Sequence, residues 1–191
     1  IIDLNLQTRL YSREKFHDVE LYKDSNPINI VLVNEKPYEE LPKEPIDVKL
    51  EGDKITLSSP ELTKDIVTTY NKTISLPYAN FIITKNKNFI PKKVKKLKLD
   101  DLYFTYSDLE SISTDVQKDL SVELMDKDAT VIGLGFQYEN KDRAKALLNS
   151  IVKIYNGYAI TDKNVESKKT KDFIDDRISI IWDSSNSRNL R

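Results

Sequence analysis

The chain has 191 residues, and its 30 Lys+Arg against 31 Asp+Glu give a formal net charge of -1, so no global field draws in nucleic acid or an anionic membrane. It has no cysteine and one histidine, which removes disulfides, thiolate metal sites, cysteine nucleophiles and almost every zinc site or triad built on imidazoles. Hydrophobic residues make up 39% and charged residues 32%, which is polar for a globular domain but not disordered, and no apolar stretch approaches the roughly 18 residues of a membrane span. The chain begins at Ile1 without an initiator Met or a signal-peptide pattern, and reads as a piece of something longer.

Two textures follow one another. Residues 15–98 carry short β-rich runs and most of the prolines. Segments 18–22 and 28–33 (INIVLV) are apolar runs separated by the turn cluster Asp24-Ser25-Asn26-Pro27. Segments 46–50 and 55–57 flank Glu51-Gly52-Asp53-Lys54, where Gly supplies the positive φ of a tight hairpin turn. A short helix is expected over 62–70, against its own Thr and Val content. Strands at 73–76 and 80–84 surround Pro77, and the spacing suggests a small antiparallel sheet or sandwich.

From residue 99 the pattern becomes strand, helix, two strands and a long helix. Residues 102–106 (LYFTY) form an aromatic strand. Ser107-Asp108-Leu109-Glu110 reads as an S-x-x-E capping box, and Leu109, Ile112, Val116 and Leu120 then continue at helical spacing. Strands at 120–125 and 129–138 are joined by the polar turn Asp126-Lys127-Asp128, with Ile132, Leu134, Phe136 and Tyr138 on one face. Asn140 is the expected N-cap of the long helix, with Asp142 in its first turn. Its stripe of Ala144, Leu147, Leu148, Ile151, Val152, Ile154, Tyr155 and Tyr158 is expected to cover the sheet. Residues 161–171 are almost wholly polar, with Val165 as the one aliphatic side chain, before a second apolar patch at Phe173, Ile174, Ile178, Ile181 and Trp182. Gly157 is the one place for an early break. If unbroken from 141 to 181, the helix is roughly 60 Å long, and its polar part should project into solvent or against another copy. The fold class expected is α+β, with a small antiparallel β-rich region over 15–98 and a strand–helix–strand–strand–long helix base over 99–191.

The tests for chemistry come out empty. Gly133-Leu134-Gly135 follows a strand and precedes a helix, but the third glycine of a dinucleotide fingerprint falls on Tyr138, so a plain β-strand is the better reading. There is no G-x-x-x-x-G-K-[ST]. The carboxylate pairs Glu39/Glu40, Asp100/Asp101 and Asp175/Asp176 are adjacent in sequence, so their side chains point apart and supply no acid–base pair. His17 beside Asp18 reads as a surface or partly packed imidazole. No catalytic residue, cofactor, metal or nucleic-acid partner is expected. The strongest local bias is basic: Lys85, Lys87, Lys92, Lys93, Lys95, Lys96 and Lys98, with no Arg to suit bidentate phosphate recognition. Lys92, Lys93, Lys95 and Lys96 are candidates for contact with a polyanion or lipid headgroups, at about 1 kcal/mol per Lys. The other reading is a solvated edge strand, on which lysines discourage edge-to-edge pairing.

These residues carry a family likeness. Residues 102–155, with SVELMDKDATVIGLGFQYENKDRAKALLNSIVKIY, followed by KNVESKKTKDFIDDRI at 163–178, resemble the chain-length determinant (Wzz-type) domain of bacterial polysaccharide co-polymerases. The most telling part is a strand followed by D/N-x-x-R-A…LN…V…Y, with F-I-D-D-R-I downstream. DLNL near the start, FHDVELYKDSNP and LPYANFIITKN are similar to the β-rich region of the variant that carries a cytoplasmic tyrosine autokinase. The resemblance implies one periplasmic domain over 1–191, on the periplasmic face of the inner membrane between two membrane helices that this sequence lacks. It implies an α+β base, a long helix, and assembly into a homo-oligomeric ring with a polymerase and an outer-membrane export channel as partners. The domain then has no enzymatic residues. The returning half of the helical region and any kinase domain are also absent from this sequence, so Phe173, Ile178 and Trp182, which pack on that returning half in the family, form a candidate packing or oligomer surface. Charged pairs from 161–171 are each worth under about 1 kcal/mol, so the isolated domain is expected to be monomeric or loosely associated. A tight ring in about 0.5 M salt contradicts that expectation. The rival is a soluble periplasmic carbohydrate- or protein-binding module, favoured if Tyr70, Tyr78 and Phe81 share an exposed face beside a groove.

Overall fold

The structure is a computed structural model and describes residues 4–38, 40–94, 101–126 and 131–188, the side chains of 93, 94, 126 and 181–188 excepted. The chain is α+β and divides into two compact units, 1–147 and 148–191.

In the first unit, β1 (Thr8–Ser12), β2 (Val19–Leu21), β3 (Ile28–Glu35), β4 (Ile46–Glu51), β5 (Lys54–Ser58), β6 (Ile66–Thr69), β7 (Thr73–Ser75), β8 (Ala79–Lys85) and β9 (Leu102–Tyr106) precede the first helix. Six of them form an antiparallel sheet in the order β2-β1-β9-β4-β5-β6, and three form another in the order β3-β8-β7. Strand β9 opens the second texture of the sequence, yet it lies between β1 and β4, so residues from both textures share one sheet.

Strands β1, β5, β8 and β9 follow the period-2 rule, so one side chain in two enters the space between the sheets. Leu10 pairs with Leu21 and Phe104 with Ile46, while Val48 pairs with both Leu57 and Leu102, all of them buried. The three-stranded sheet supplies Ile28, Ile30, Ile74, Phe81 and Ile83 to the same cluster. The Phe81 ring meets Phe104 edge-on at 6.0 Å and Tyr106 at 5.5 Å, and Tyr78 stacks on Tyr106 at 5.1 Å. The β-rich part is therefore a sandwich held by inter-sheet aromatic contacts, each fully buried Leu, Ile or Phe being worth roughly 1.5–3 kcal/mol.

The hairpin at Gly52 forms as expected, with Glu51 opposite Lys54 and φ +64 at the glycine. The short helix expected over 62–70 does not form. Four consecutive β-branched residues, Ile66 to Thr69, instead make β6 against β5, because the exposed edge of β5 rewards an extended chain more than weak helix formers reward a turn.

Helix α1 (Leu109–Asp119) is capped by Asp108 rather than by Ser107. The Ser107 N–H still extends the strand ladder by donating to the Gln7 carbonyl, so the chain turns one residue later and Asp108 Oδ1 accepts from Ser111 N at 2.8 Å. Strands β10 (Leu120–Asp126) and β11 (Val131–Phe136) then form a two-stranded ribbon, and the expected turn at 126–128 lies almost wholly outside the described residues. Gly133 and Gly135 belong to that ribbon. A Cβ at Gly135 would sit 2.5 Å from Ser121 Oγ, and one at Gly133 would sit 2.7 Å from Met125 Sδ. The two glycines thus make room for side chains of the neighbouring strand.

Helix α2 (Lys141–Arg188) runs for 48 residues through Gly157. The stripe on its first turns is buried only at its start. Leu147 is buried and Ala144 half-buried, both within the first unit. In the second unit Leu148 and Ile151 are half-buried, and Val152, Ile154, Tyr155 and Tyr158 are exposed. Periodicity marks a face that favours burial, but it does not supply the surface that would bury it.

Candidate functional site

Two features stand out: a buried polar anchor at the start of α2, within the first unit, and the exposed helix of the second unit.

The anchor follows from strand register. Because Leu10 and Leu21 point into the sandwich, their neighbours Tyr11 and Glu20, themselves a cross-strand pair, face the other side of the six-stranded sheet. Glu20 and Arg143 meet there with side chains only 3% exposed, Arg143 Nε lying 3.1 Å from Glu20 Oε1. That approach is an ion pair without hydrogen-bond geometry at Nε. The guanidinium donates through Nη1 to the carbonyls of Leu4 at 3.3 Å and Asn5 at 3.2 Å, and it lies over the Tyr22 ring at 4.5 Å. Tyr138 donates its hydroxyl to Glu20 Oε1 and accepts from Arg9 Nη1, both at 3.4 Å.

Asn140 completes the arrangement. Its Oδ1 accepts from the N–H groups of Asp142 and Arg143 as the expected N-cap, while its Nδ2 donates to the Glu20 carbonyl at 3.3 Å. Burial pushes the Glu20 carboxyl above its ordinary value, opposed by Arg143 and Arg9. Burial also pushes the Tyr11 hydroxyl up to about 12. The network offers no reacting geometry: its polar atoms are turned on one another and on backbone carbonyls, and they fix where α2 begins.

In the second unit, every described side chain from 160 to 180 is exposed. Ile154, Tyr155, Tyr158 and Ile160 make one apolar group, and Phe173, Ile174, Ile178 and Ile180 make another. Phe173 is 64% and Ile178 56% exposed, and the Trp182 side chain lies outside the described residues. Between the two groups, the acidic and basic residues of 161–172 form no ion pair among the described residues.

The lysine run divides. Lys85 closes β8, the central strand of its sheet, and its Nζ is 2.6 Å from Asp53 Oδ1. Lys87 and Lys92 are exposed, Lys92 on a single 3-10 turn over Pro91–Val94, so neither stands on a strand. The Lys93 side chain, and Lys95, Lys96 and Lys98 altogether, lie outside the described residues. His17 is exposed, and its neighbour Asp18 accepts from the Tyr103 hydroxyl at 2.7 Å. Asp175 and Asp176 are exposed on α2, while Glu39 and Asp100 lie outside the described residues. Tyr78 and Phe81 are buried in the sandwich, so they do not share an exposed face with Tyr70.

The sequence reading missed Glu20 as one pole of the anchor, although an acidic residue between Val19 and Leu21 in a short apolar strand is a usable signal. Arg143 is the arginine of the N-x-x-R-A pattern, so its position was visible while its partner was not. Among the described residues no cluster of side chains could hold a metal ion, and no helix is long and apolar enough to cross a membrane. No family model, no curated protein and no solved structure matches the chain.

Proposed function

We propose that this chain is the periplasmic domain of an inner-membrane polysaccharide co-polymerase, regulating the length and export of a capsular or exopolysaccharide through assembly with its own copies. It performs no bond chemistry itself. The observation that supports this reading best is the helix of the second unit. Two exposed apolar groups on either side of a charged stretch without internal ion pairs suit an element whose partners lie in neighbouring chains. Sharing its oppositely charged residues with neighbours would fix register more than affinity. The anchor at Arg143 fixes where α2 begins, within the first unit.

These 191 residues contain no cysteine, so a cysteine introduced into them is the one thiol of this part of the protein. Phe173→Cys and Ile178→Cys are introduced singly into the full-length parent protein and oxidised in native membranes. Cross-linked ladders at these positions, together with a changed distribution of polysaccharide lengths, are expected. Monomer at both positions with an unchanged length distribution would sink the proposal.

A further inference from the structure

A groove of about 970 Å³ lies in the first unit where the β4–β5 turn, the β6–β7 turn and the chain leaving β8 come together. Its volume is at the upper end of clefts that hold a drug-sized molecule. Its walls are set by bonds among the protein's own groups. Asn71 holds φ +63 and donates its N–H to the Ile83 carbonyl. The Asn86 amide donates to the carbonyls of Lys23 and Asn26, both at 2.7 Å, and accepts from Asn88 N. Lys85 joins Asp53 while lying 4.8 Å from the centre of the Tyr70 ring.

With the walls pinned in this way, the remaining groups face the groove without a protein partner. The side chains of Asn29, Asn71, Asn88, Thr69 and Thr84 make no hydrogen bond among the described residues. Asn29 stands directly across from Thr84 in the β3–β8 ladder, so an amide and a hydroxyl sit side by side on the outer face of that sheet.

This lining selects a ligand class. An amide offers donors and an acceptor together, and a hydroxyl does both at one atom. A row of such groups matches a ligand whose own groups also donate and accept at short intervals. Asp53 neutralises Lys85, so among the described residues of the lining Lys87 is the one cation without an ion pair. Among the described residues the lining has one aromatic ring, Tyr70, and no large aliphatic side chain, so it offers a single ring face rather than an apolar bed for a lipid or an apolar peptide side chain.

We infer that this groove binds a segment of a neutral, hydroxyl-rich saccharide chain. The inference rests on the groove alone and does not depend on the assembly reading. The exchange of water-bonded amides for sugar-bonded amides gains little per contact, so affinity near 1 mM is expected for a short oligomer.

The test uses the whole chain, an array of neutral and acidic microbial oligosaccharides, and NMR titration with the neutral oligosaccharide that gives the strongest signal. Support requires shifts concentrated at the side-chain amides of Asn29, Asn71 and Asn88. It also requires at least tenfold weaker binding by the Asn29→Ala/Asn88→Ala variant, with its amide spectrum otherwise unchanged. Binding of acidic glycans alone, shifts produced equally by inorganic phosphate, shifts produced only by an extended peptide, or no neutral glycan bound at all would each overturn it. Because Phe173 and Ile178 lie in the other unit, the cross-linking result can fail or succeed independently.

Discussion

The two units solve the same problem in opposite ways. In residues 1–147 the apolar side chains recur every second position on strands whose partners are in the same chain, and they close into a sandwich of fully buried Phe, Leu and Ile. In residues 148–191 the apolar side chains recur along a helix, and Tyr155, Tyr158, Phe173 and Ile178 are more than half exposed. The difference teaches that an apolar pattern states a demand for burial, whereas only a neighbour can meet it. A strand finds that neighbour through backbone pairing, but a lone helix has satisfied its own backbone and must find one through side chains.

The sharpest way to break this comparison is to cut into the sandwich. Phe81→Ala removes a ring that touches Phe104 and Tyr106, and should cost about 3–5 kcal/mol of the first unit's stability in denaturant unfolding. A loss under about 1 kcal/mol would mean that the two sheets do not depend on each other.

Arg143→Ala should fall in the same range, about 3–5 kcal/mol, because it takes its ion-pair partner from the buried Glu20 carboxyl, which keeps the Tyr138 hydroxyl and the Arg9 charge. The double variant Glu20→Met/Arg143→Met should recover much of that loss. If the double variant is as unstable as the single one, the anchor contributes through packing and not through charge.

A smaller effect is expected from alkali. Tyr11 titrates near 10 when unfolded and near 12 when folded, so the folded state holds the proton more tightly. Its contribution is whole below pH 10 and is lost as pH rises toward 12, which thermal melts of wild type against Tyr11→Phe should show. Glu20 has the same sign at the acid end. Its raised value means that ionisation opposes folding, so the Glu20 contribution shrinks as pH rises above the ordinary carboxylate range.

In the second unit the expected changes are smaller still. Gly157→Ala meets nothing within 4 Å of the new Cβ and should strengthen the helix by about 1 kcal/mol, visible as slower amide exchange around residue 157. Phe173→Ser should alter the stability of the isolated chain by no more than about 0.5 kcal/mol, since the side chain it replaces is exposed. A large loss there would show that the helix already packs against something within the chain.

Much of the fold was legible because local chemistry agrees with it. LYFTY at 102–106 is a strand over those same residues, Gly52 makes its hairpin, and Asn140 caps α2. The errors come from partners that local chemistry does not reveal. Ser107 lost the capping role because its N–H was already committed to Gln7, and 66–69 became a strand because β5 offered a free edge. Neither commitment is visible without the neighbouring strand. For the candidate sites, Phe173 and Ile178 were legible as a patch, while Glu20 stood out only as a carboxylate in an apolar strand, and its pairing with Arg143, 123 residues away, was not legible.

By itself, the sequence determined the α+β class, the order of most elements, the absence of cysteine chemistry and the apolar positions on each face, since composition and spacing act through the nearest residues. The tertiary structure alone decided that β9 completes a sheet begun by β1, that Glu20 meets Arg143, and that Asn29, Thr84 and Asn71 line one groove. Those pairings join residues far apart along the chain. They depend on strand order and register, which a linear pattern of side chains does not encode.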